Sequence, residues 1–343
     1  MKYPAVILAF LLLLAACDQS GKNKSGGDMN VREYFNYGDS GVQTAGVKMI
    51  PIQTPIGEFK VWTKRFGNNP RIKVLLLHGG PAATHEYLES FESFFPKEGF
   101  EFYEYDQLGS YYSDQPTDSS LWTAERFVEE VEQVRKALGM NKDNFYLYGN
   151  SWGGILAMEY ALKYQANLKG LIISNMMSSI SDYSKYQEKL HDKMRKSAVD
   201  SIMDYEAKGK FDDPNYQSLL MTEYYTKHIC RLPEWPDGIN RTFKHLNYPV
   251  YLMMQGPSEF SVGGRLANWD RSKDLPNITV PTLTVGATFD TMDPDHMKWM
   301  STQVKKGKFL LCPDGSHMSM WDDQQHFFPG VIQFIKEVDD GKF

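Results

Sequence analysis

Apolar residues along this chain come in two rhythms, and their alternation lays out the expected fold. The stretches VKMIPIQ (47–53) and FKVWTKRF (59–66) alternate apolar and polar positions, and the intervening TPIGE carries proline and glycine, which predicts a two-stranded hairpin. The next run, IKVLLLH (72–78), is apolar on both faces, as a strand must be inside a parallel sheet covered by helices on each side. A helix is expected over 85–95 and a strand over FEFYEYD (100–106). In TAERFVEEVEQVRKAL (123–138), Phe127, Val131, Val134 and Leu138 recur at helical spacing among charges, and Gly139 stops the segment. The strand NFYLYG, the helix ILAMEYALKY and the strand LKGLIISN then complete a βαβαβ run, which implies a mainly parallel sheet with right-handed crossovers.

From about 176 to 265 the texture changes to charged amphipathic helices, as in SDYSKYQEKLHDKMRKSAVDSIMDYEAKGKF, with no apolar strand-like run before about Tyr248. TVPTLTVGATFD (279–290) and KFLLCPDGSH (308–317) resume the buried-strand pattern, and a helix over 322–338 ends the chain. The expected architecture is α/β: a mostly parallel central sheet flanked by helices, formed by 30–175 and 266–343, with a mostly helical cap inserted over 176–265. At 343 residues the chain is long for one domain of about 100–150 residues, and one α/β core with a large insertion accounts for the excess. A net charge of −6 with 42% hydrophobic residues describes a folded, mildly acidic protein with no basic face for nucleic acid.

The N-terminus departs from this pattern. An apolar run from Ala5 to Ala16 follows Met1-Lys2; it is shorter than the about 20 residues a membrane-spanning helix needs, so it reads as a signal segment. Its ending, Leu14-Ala15-Ala16-Cys17, resembles a bacterial lipobox. The expectation is a signal peptide over 1–16, a lipid anchor at Cys17 and a flexible polar tether over 17–29, which makes an exported, membrane-anchored lipoprotein of a bacterial envelope; an ordinary signal peptide with an incidental cysteine is the alternative. Cys230 and Cys312 remain, and two cysteines so far apart do not require a bridge.

Candidate chemistry centres on Gly149-Asn150-Ser151-Trp152-Gly153, a G-x-S-x-G sequence between a strand and a helix, where a tight turn lifts a serine hydroxyl clear of the sheet. A serine becomes a nucleophile only when a histidine, oriented by a carboxylate, takes its proton; the expected order is Ser, Asp or Glu, His, each ending a strand on the same sheet edge. Asp290 closes TVPTLTVGATFD and His317 follows FLLCPDGS, which satisfies the order. Of the rivals, Asp293 before Pro294 reads as a helix cap with Asp295 beside it, and His296 and His326 fall on helices as surface residues. The oxyanion of an acyl-transfer intermediate needs backbone donors: the N–H of Trp152 is one, and Gly80, in His78-Gly79-Gly80-Pro81 after the strand 72–78, is placed to supply the second. The histidines show no H-E-x-x-H or comparable spacing, so neither metal nor organic cofactor is called for.

With LHGGPAATHEYL (77–88), YEYDQLGSYYSDQP (103–116), YGNSWGG (148–154), QGPSEF (255–260), TLTVGATFD (282–290) and CPDGSHMSMW (312–321), the chain resembles the proline iminopeptidases of the α/β-hydrolase superfamily, of the type related to the tricorn-interacting aminopeptidase. The resemblance implies an α/β-hydrolase fold with Ser151, Asp290 and His317 as triad, Gly80 and Trp152 as oxyanion donors, and Glu259 on the cap side reading the free α-amino group of short peptides. It implies release of an N-terminal residue, preferably proline, through an acyl-enzyme. Two positions depart from the pattern: Thr291 stands where a second acidic residue often follows the triad aspartate, with Asp293 or Glu223 as possible substitutes, and Ala82 replaces the glycine after HGGP. Aromatic residues of the cap, Tyr224, Tyr225, Trp235, Phe243, Tyr248 and Tyr251, offer an apolar pocket for a proline ring. Fold and triad leave the acyl substrate open, so an esterase, lactonase or amidase is the alternative, and a non-catalytic binding lipoprotein the alternative outside enzymes. A dehalogenase or epoxide hydrolase is disfavoured, because each needs a carboxylate where Ser151 stands.

Overall fold

The computed structural model of the chain describes residues 31–36 and 46–343; the leader, Cys17 and the expected tether lie outside the described residues. A short helix, α1 (Val31–Tyr34), precedes the sheet. Strands β1 (Val47–Thr54) and β2 (Gly57–Phe66) make the expected antiparallel hairpin, with Thr54 opposite Gly57. Six more strands follow, β3 (Lys73–Leu77), β4 (Glu101–Asp106), β5 (Phe145–Asn150), β6 (Gly170–Ser174), β7 (Pro281–Ala287) and β8 (Lys306–Cys312). The sheet runs β1-β2-β4-β3-β5-β6-β7-β8. β2 pairs antiparallel with β4, and every pairing from β4 across to β8 is parallel.

Helices α2 (Ala124–Ala137) and α3 (Trp152–Tyr164) make the crossovers into and out of β5. Between β6 and β7 lie α4 (Ile180–His191), α5 (Lys196–Ala207), α6 (Pro214–Leu220), α7 (Thr226–His228), α8 (Asp237–His245) and α9 (Tyr248–Met254). The chain closes with α10 (Pro294–Gln303), α11 (Ser319–Asp322) and α12 (Gln324–Asp339).

The doubly apolar central strands have the consequence expected of them. Leu75 and Leu77 of β3 pack with Phe127 and Val131 of α2 and Ile155 of α3, whereas Val74 and Leu76 pack with Phe91, Phe95 and, from α12, Phe328 and Val331. Successive residues of a strand point to opposite faces, so these two cores lie on the two sides of one sheet. Fully burying one such leucine contributes about 1.5–3 kcal/mol. The parallel strands therefore deliver their C-terminal ends, where side chains are free to do chemistry, to one edge of a rigid platform.

Local departures from the pattern each have a cause. The helix expected over 85–95 is a 3₁₀ helix, His85–Ser93, followed by a second, Phe95–Glu98. His85, Glu86, Tyr87, Leu88, Ser90 and Phe91 are all buried, so tertiary contact on every side overrides helical preference. The apolar run at Tyr248 is α9, started by Pro249 in its first turn. KFLLC is not a buried strand: β8 pairs only with β7 at the sheet edge and leaves Leu311 44% exposed, with Cys312 alone fully buried. The final helix breaks at Asp323 between α11 and α12.

Candidate active site

Ser151 caps α3 directly after β5 with φ 56° and ψ −127°, a conformation that side chains rarely adopt. Two glycines make that turn possible. A Cβ on Gly149 would lie 2.0 Å from the carbonyl oxygen of Gly153, and one on Gly153 would lie 2.2 Å from that of Leu77. The strand and the helix thus approach more closely than any side chain permits, and the Ser151 N–H is held by the Ser174 carbonyl at 3.1 Å.

His317 lies five residues beyond β8 and Asp290 three beyond β7. His317 Nδ1 meets Asp290 Oδ1 at 2.7 Å, and both side chains are buried. Asp290 Oδ2 accepts Asn175 Nδ2 at 2.7 Å, and the Thr291 hydroxyl donates to Oδ1 at 3.2 Å. The loop carrying His317 is stitched to the cap: the His317 and Met318 N–H groups donate to the carbonyls of His228 and Ile229 at 3.0 and 2.8 Å. Burial works against the charged imidazole, but the Asp290 charge and hydrogen bond outweigh it and raise the His317 pKa above its ordinary value.

The glycine loop after β3 is fixed by a relay of polar side chains. Gly79 N–H donates to the Tyr87 hydroxyl at 2.6 Å, and that hydroxyl donates to Asn150 Oδ1 at 2.9 Å. His78 Nδ1 pairs with the Gly79 carbonyl at 2.8 Å and its Nε2 accepts the Gln107 N–H at 3.1 Å. These partners require the neutral Nδ1–H tautomer, and burial lowers the His78 pKa in the same sense. Gln107 also bonds the His78 carbonyl and, through Oε1, Trp152 Nε1 at 2.8 Å. Among the described residues, neither the Gly80 nor the Trp152 N–H has a protein acceptor; the latter is an orphan donor of the first turn of α3.

Ser151, His317, Gly79 and Gly80 open into a cavity of about 220 Å³ whose far wall is the cap, including Leu220, Ile229, Phe243 and Leu246. Glu259 also lines it. Tyr251 donates to Glu259 Oε1 at 2.7 Å and the Tyr183 hydroxyl lies 3.5 Å from Oε2. Burial raises the Glu259 pKa, against the opposing pull of His317 and the Tyr251 hydrogen bond. A cleft with a carboxylate at one wall and a serine and a histidine at another can hold a cation at a fixed distance from an acyl carbon.

Of the cap aromatics, Tyr225, Phe243, Tyr248 and Tyr251 line the cavity, whereas Tyr224 and Trp235 do not. Asp293 caps α10 through the Asp295 N–H, and Glu223 pairs with Arg195 and Lys227; neither lines the cavity as a substitute acid. His326 pairs with Asp323, and His296 is half-buried against the Ser178 hydroxyl at 3.0 Å, not solvated as expected. Ala82 sits with φ 58° and accepts the Asn247 N–H at 3.0 Å, so alanine occupies left-handed backbone where glycine is the unstrained choice. Cys230 and Cys312 are buried and unbridged. Three contributors escaped the sequence reading, Asn175, Tyr87 and Gln107. Asn175 and Gln107 each follow a strand end, a position that could have flagged them, and Gln107 and Tyr87 also lie within the stretches 103–116 and 77–88 that carry the family resemblance.

The family model described as the alpha/beta hydrolase fold matches residues 73–324. A proline iminopeptidase of Flavobacterium johnsoniae is 64% identical over 86% of this chain and 99% of its own length. One of Elizabethkingia meningoseptica is 62% identical over 86% of this chain and 100% of its own length. Among solved structures, a proline iminopeptidase of Mycobacterium smegmatis superposes with a TM-score of 0.76 at 26% identity, covering 87% of this chain and 100% of that one.

Proposed function

The chain belongs to the α/β hydrolases and, within them, to the proline iminopeptidases, and from that premise we propose that Ser151, His317 and Asp290 carry out the acyl transfer that releases an N-terminal proline from short peptides. The observation that carries this assignment is that Ser151, His317 and Glu259 line one cavity while Asp290 holds His317 by Nδ1.

With Nδ1 engaged, Nε2 is the nitrogen left to take the Ser151 proton as the hydroxyl attacks the carbonyl of the N-terminal residue. Negative charge gathers on the carbonyl oxygen, where the free N–H groups of Gly80 and Trp152 receive it; one such donor is worth about 2.7–4 kcal/mol in the transition state. His317 then protonates the departing amine, and water, activated by the same imidazole, releases the acyl group. Glu259 takes the substrate ammonium in a partly desolvated setting where such a pair is strong, and the Phe243 and Leu246 wall receives the pyrrolidine ring.

The test is hydrolysis of chromogenic amides of proline, alanine and leucine, beside an N-acetylated proline amide and an acetate ester, with Ser151→Ala as control. Serine-dependent cleavage that prefers the free proline amide supports the reading. Ester cleavage without amide cleavage would give the site to an esterase.

The leader and Cys17 support a second element of the proposal: the mature enzyme begins at Cys17, carries lipid there, and works from a membrane on the exported side. Release of a Cys17→Ala protein from the membrane fraction, with the wild type retained, tests it.

A further inference from the structure

Thr291 is fully buried and absent from the cavity wall, yet it touches both members of the Asp290–His317 pair. Its hydroxyl donates to Asp290 Oδ1 at 3.2 Å, the same oxygen that His317 Nδ1 meets at 2.7 Å, and stands 3.3 Å from Nδ1 itself. Its carbonyl accepts Gln187 Nε2 from α4 at 2.8 Å, and Gln187 Oε1 accepts the hydroxyl of Tyr224. Tyr224 belongs to a π-helical turn, Met221–Tyr225, whose next residue, Tyr225, lines the cavity and whose hydroxyl receives the Glu259 N–H at 3.4 Å. Single π-turns inside helices recur at functional sites because they re-aim side chains.

We infer that Thr291 is a positioning residue for His317, anchored to the cap by Gln187, so that the seat of the general base is set by the same helical segment that walls the substrate cavity. The inference rests on the reading of His317 as the base. The physical argument concerns how Asp290 divides its charge. With the hydroxyl and the imidazole both donating to Oδ1, and Asn175 holding Oδ2, the carboxylate is fixed in plane and only part of its charge acts on the ring. Without the hydroxyl, the whole of Oδ1 faces the imidazole, the imidazolium gains, and the carboxylate loses one of the bonds that aim it. The other groups bearing on His317 are Glu259 across the cavity, Asp322 of α11, and His228, whose carbonyl holds the His317 N–H. None of these contacts involves the Thr291 hydroxyl, whose further neighbour is the Tyr183 hydroxyl, itself 3.5 Å from Glu259 Oε2.

The experiment compares the pH dependence of kcat/KM, and kcat and KM at the plateau, for wild type, Thr291→Val, Thr291→Ser and Gln187→Leu on the free proline amide. Expected for Thr291→Val are an acid limb displaced upward by about half a pH unit, kcat lowered about tenfold and KM unchanged, since position 291 does not meet substrate. Thr291→Ser restores both, and Gln187→Leu lowers kcat with KM unchanged. A Thr291→Val profile that superimposes on the wild type overturns the inference, as does serine performing no better than valine. Should the valine protein fail to fold, Gln187→Leu decides alone: unchanged kcat there overturns it equally. Failure of the underlying reading looks different, because then His317→Ala would retain wild-type turnover.

Discussion

Replacing Glu259 by glutamine isolates the electrostatic part of substrate recognition. The change is nearly isosteric: a glutamine oxygen still accepts the Tyr251 hydroxyl that now lies 2.7 Å from Oε1, so the loop that carries the residue keeps its tie to α9. What is lost is the negative charge. A hydrogen bond to a charged partner is worth about 1.5–3 kcal/mol, and at about 1.4 kcal/mol per decade kcat/KM for a free-amine substrate should fall about 10- to 150-fold. Turnover of an acetate ester, which presents no ammonium, should stay within about twofold. The assay is steady-state kinetics on the proline amide, its N-acetyl derivative and the ester, with the rate of fluorophosphonate labelling of Ser151 as a check on the nucleophile. An equal loss on amide and ester would show that Glu259 supports the site without reading the amine, and an unchanged amide rate would refute the assignment outright.

The pKa values of His317 and Glu259 are both raised, and catalysis needs imidazole neutral and carboxylate ionised, so a pH–rate profile should lose activity as pH falls through both raised values. Stability runs the other way: a group that holds its proton more tightly folded than unfolded contributes most at low pH and loses that contribution as pH rises above its unfolded value, so the melting temperature should decline over the range in which activity climbs. Glu104, buried on β4 with neither oxygen hydrogen-bonded, is pushed up by burial to about 8; Glu104→Gln cannot ionise and should keep stability between pH 7 and 9 that the wild type loses, as thermal melts across that range would read. Gly153→Ala forces a methyl to within 2.2 Å of the Leu77 carbonyl and should cost about 4 kcal/mol or prevent folding, and an unchanged melt would contradict the close packing of α3 on β3.

The strand order of a sheet cannot be read from a run of letters, but its members can. IKVLLLH, NFYLYG and LKGLIISN announced themselves as buried parallel strands because only an interior strand is apolar on both faces, and GNSWG between one of them and a helix marked the sharp turn. Ser151, Asp290 and His317 could be singled out because each follows a strand that must end on the same edge, and the fold brings His317 onto Asp290 and sets Ser151 and His317 in one cavity. Where burial decided the outcome, pattern failed. The 85–95 segment became a 3₁₀ helix under contacts on all sides, and KFLLC, as apolar as the central strands, was left half-exposed because nothing pairs beyond β8.

Asn175 lies outside every matching stretch, and Tyr87 and Gln107 lie within two of them without a role that the stretch itself reveals, since each acquires one only when another segment supplies its partner: Asp290 for Asn175, Gly79 and Asn150 for Tyr87, His78 and Trp152 for Gln107. The same holds for Thr291. By its place in the chain it reads as a missing acid in the substrate pocket, whereas in the folded protein its hydroxyl lies against Asp290 and His317 and its carbonyl against Gln187, 104 residues away. Periodicity and local turn chemistry are properties of neighbours along the chain, and they determined the strands, the turn and the order of the proposed triad. Hydrogen-bond partners and burial are properties of neighbours in space, so only the tertiary structure decided which polar residues serve the site.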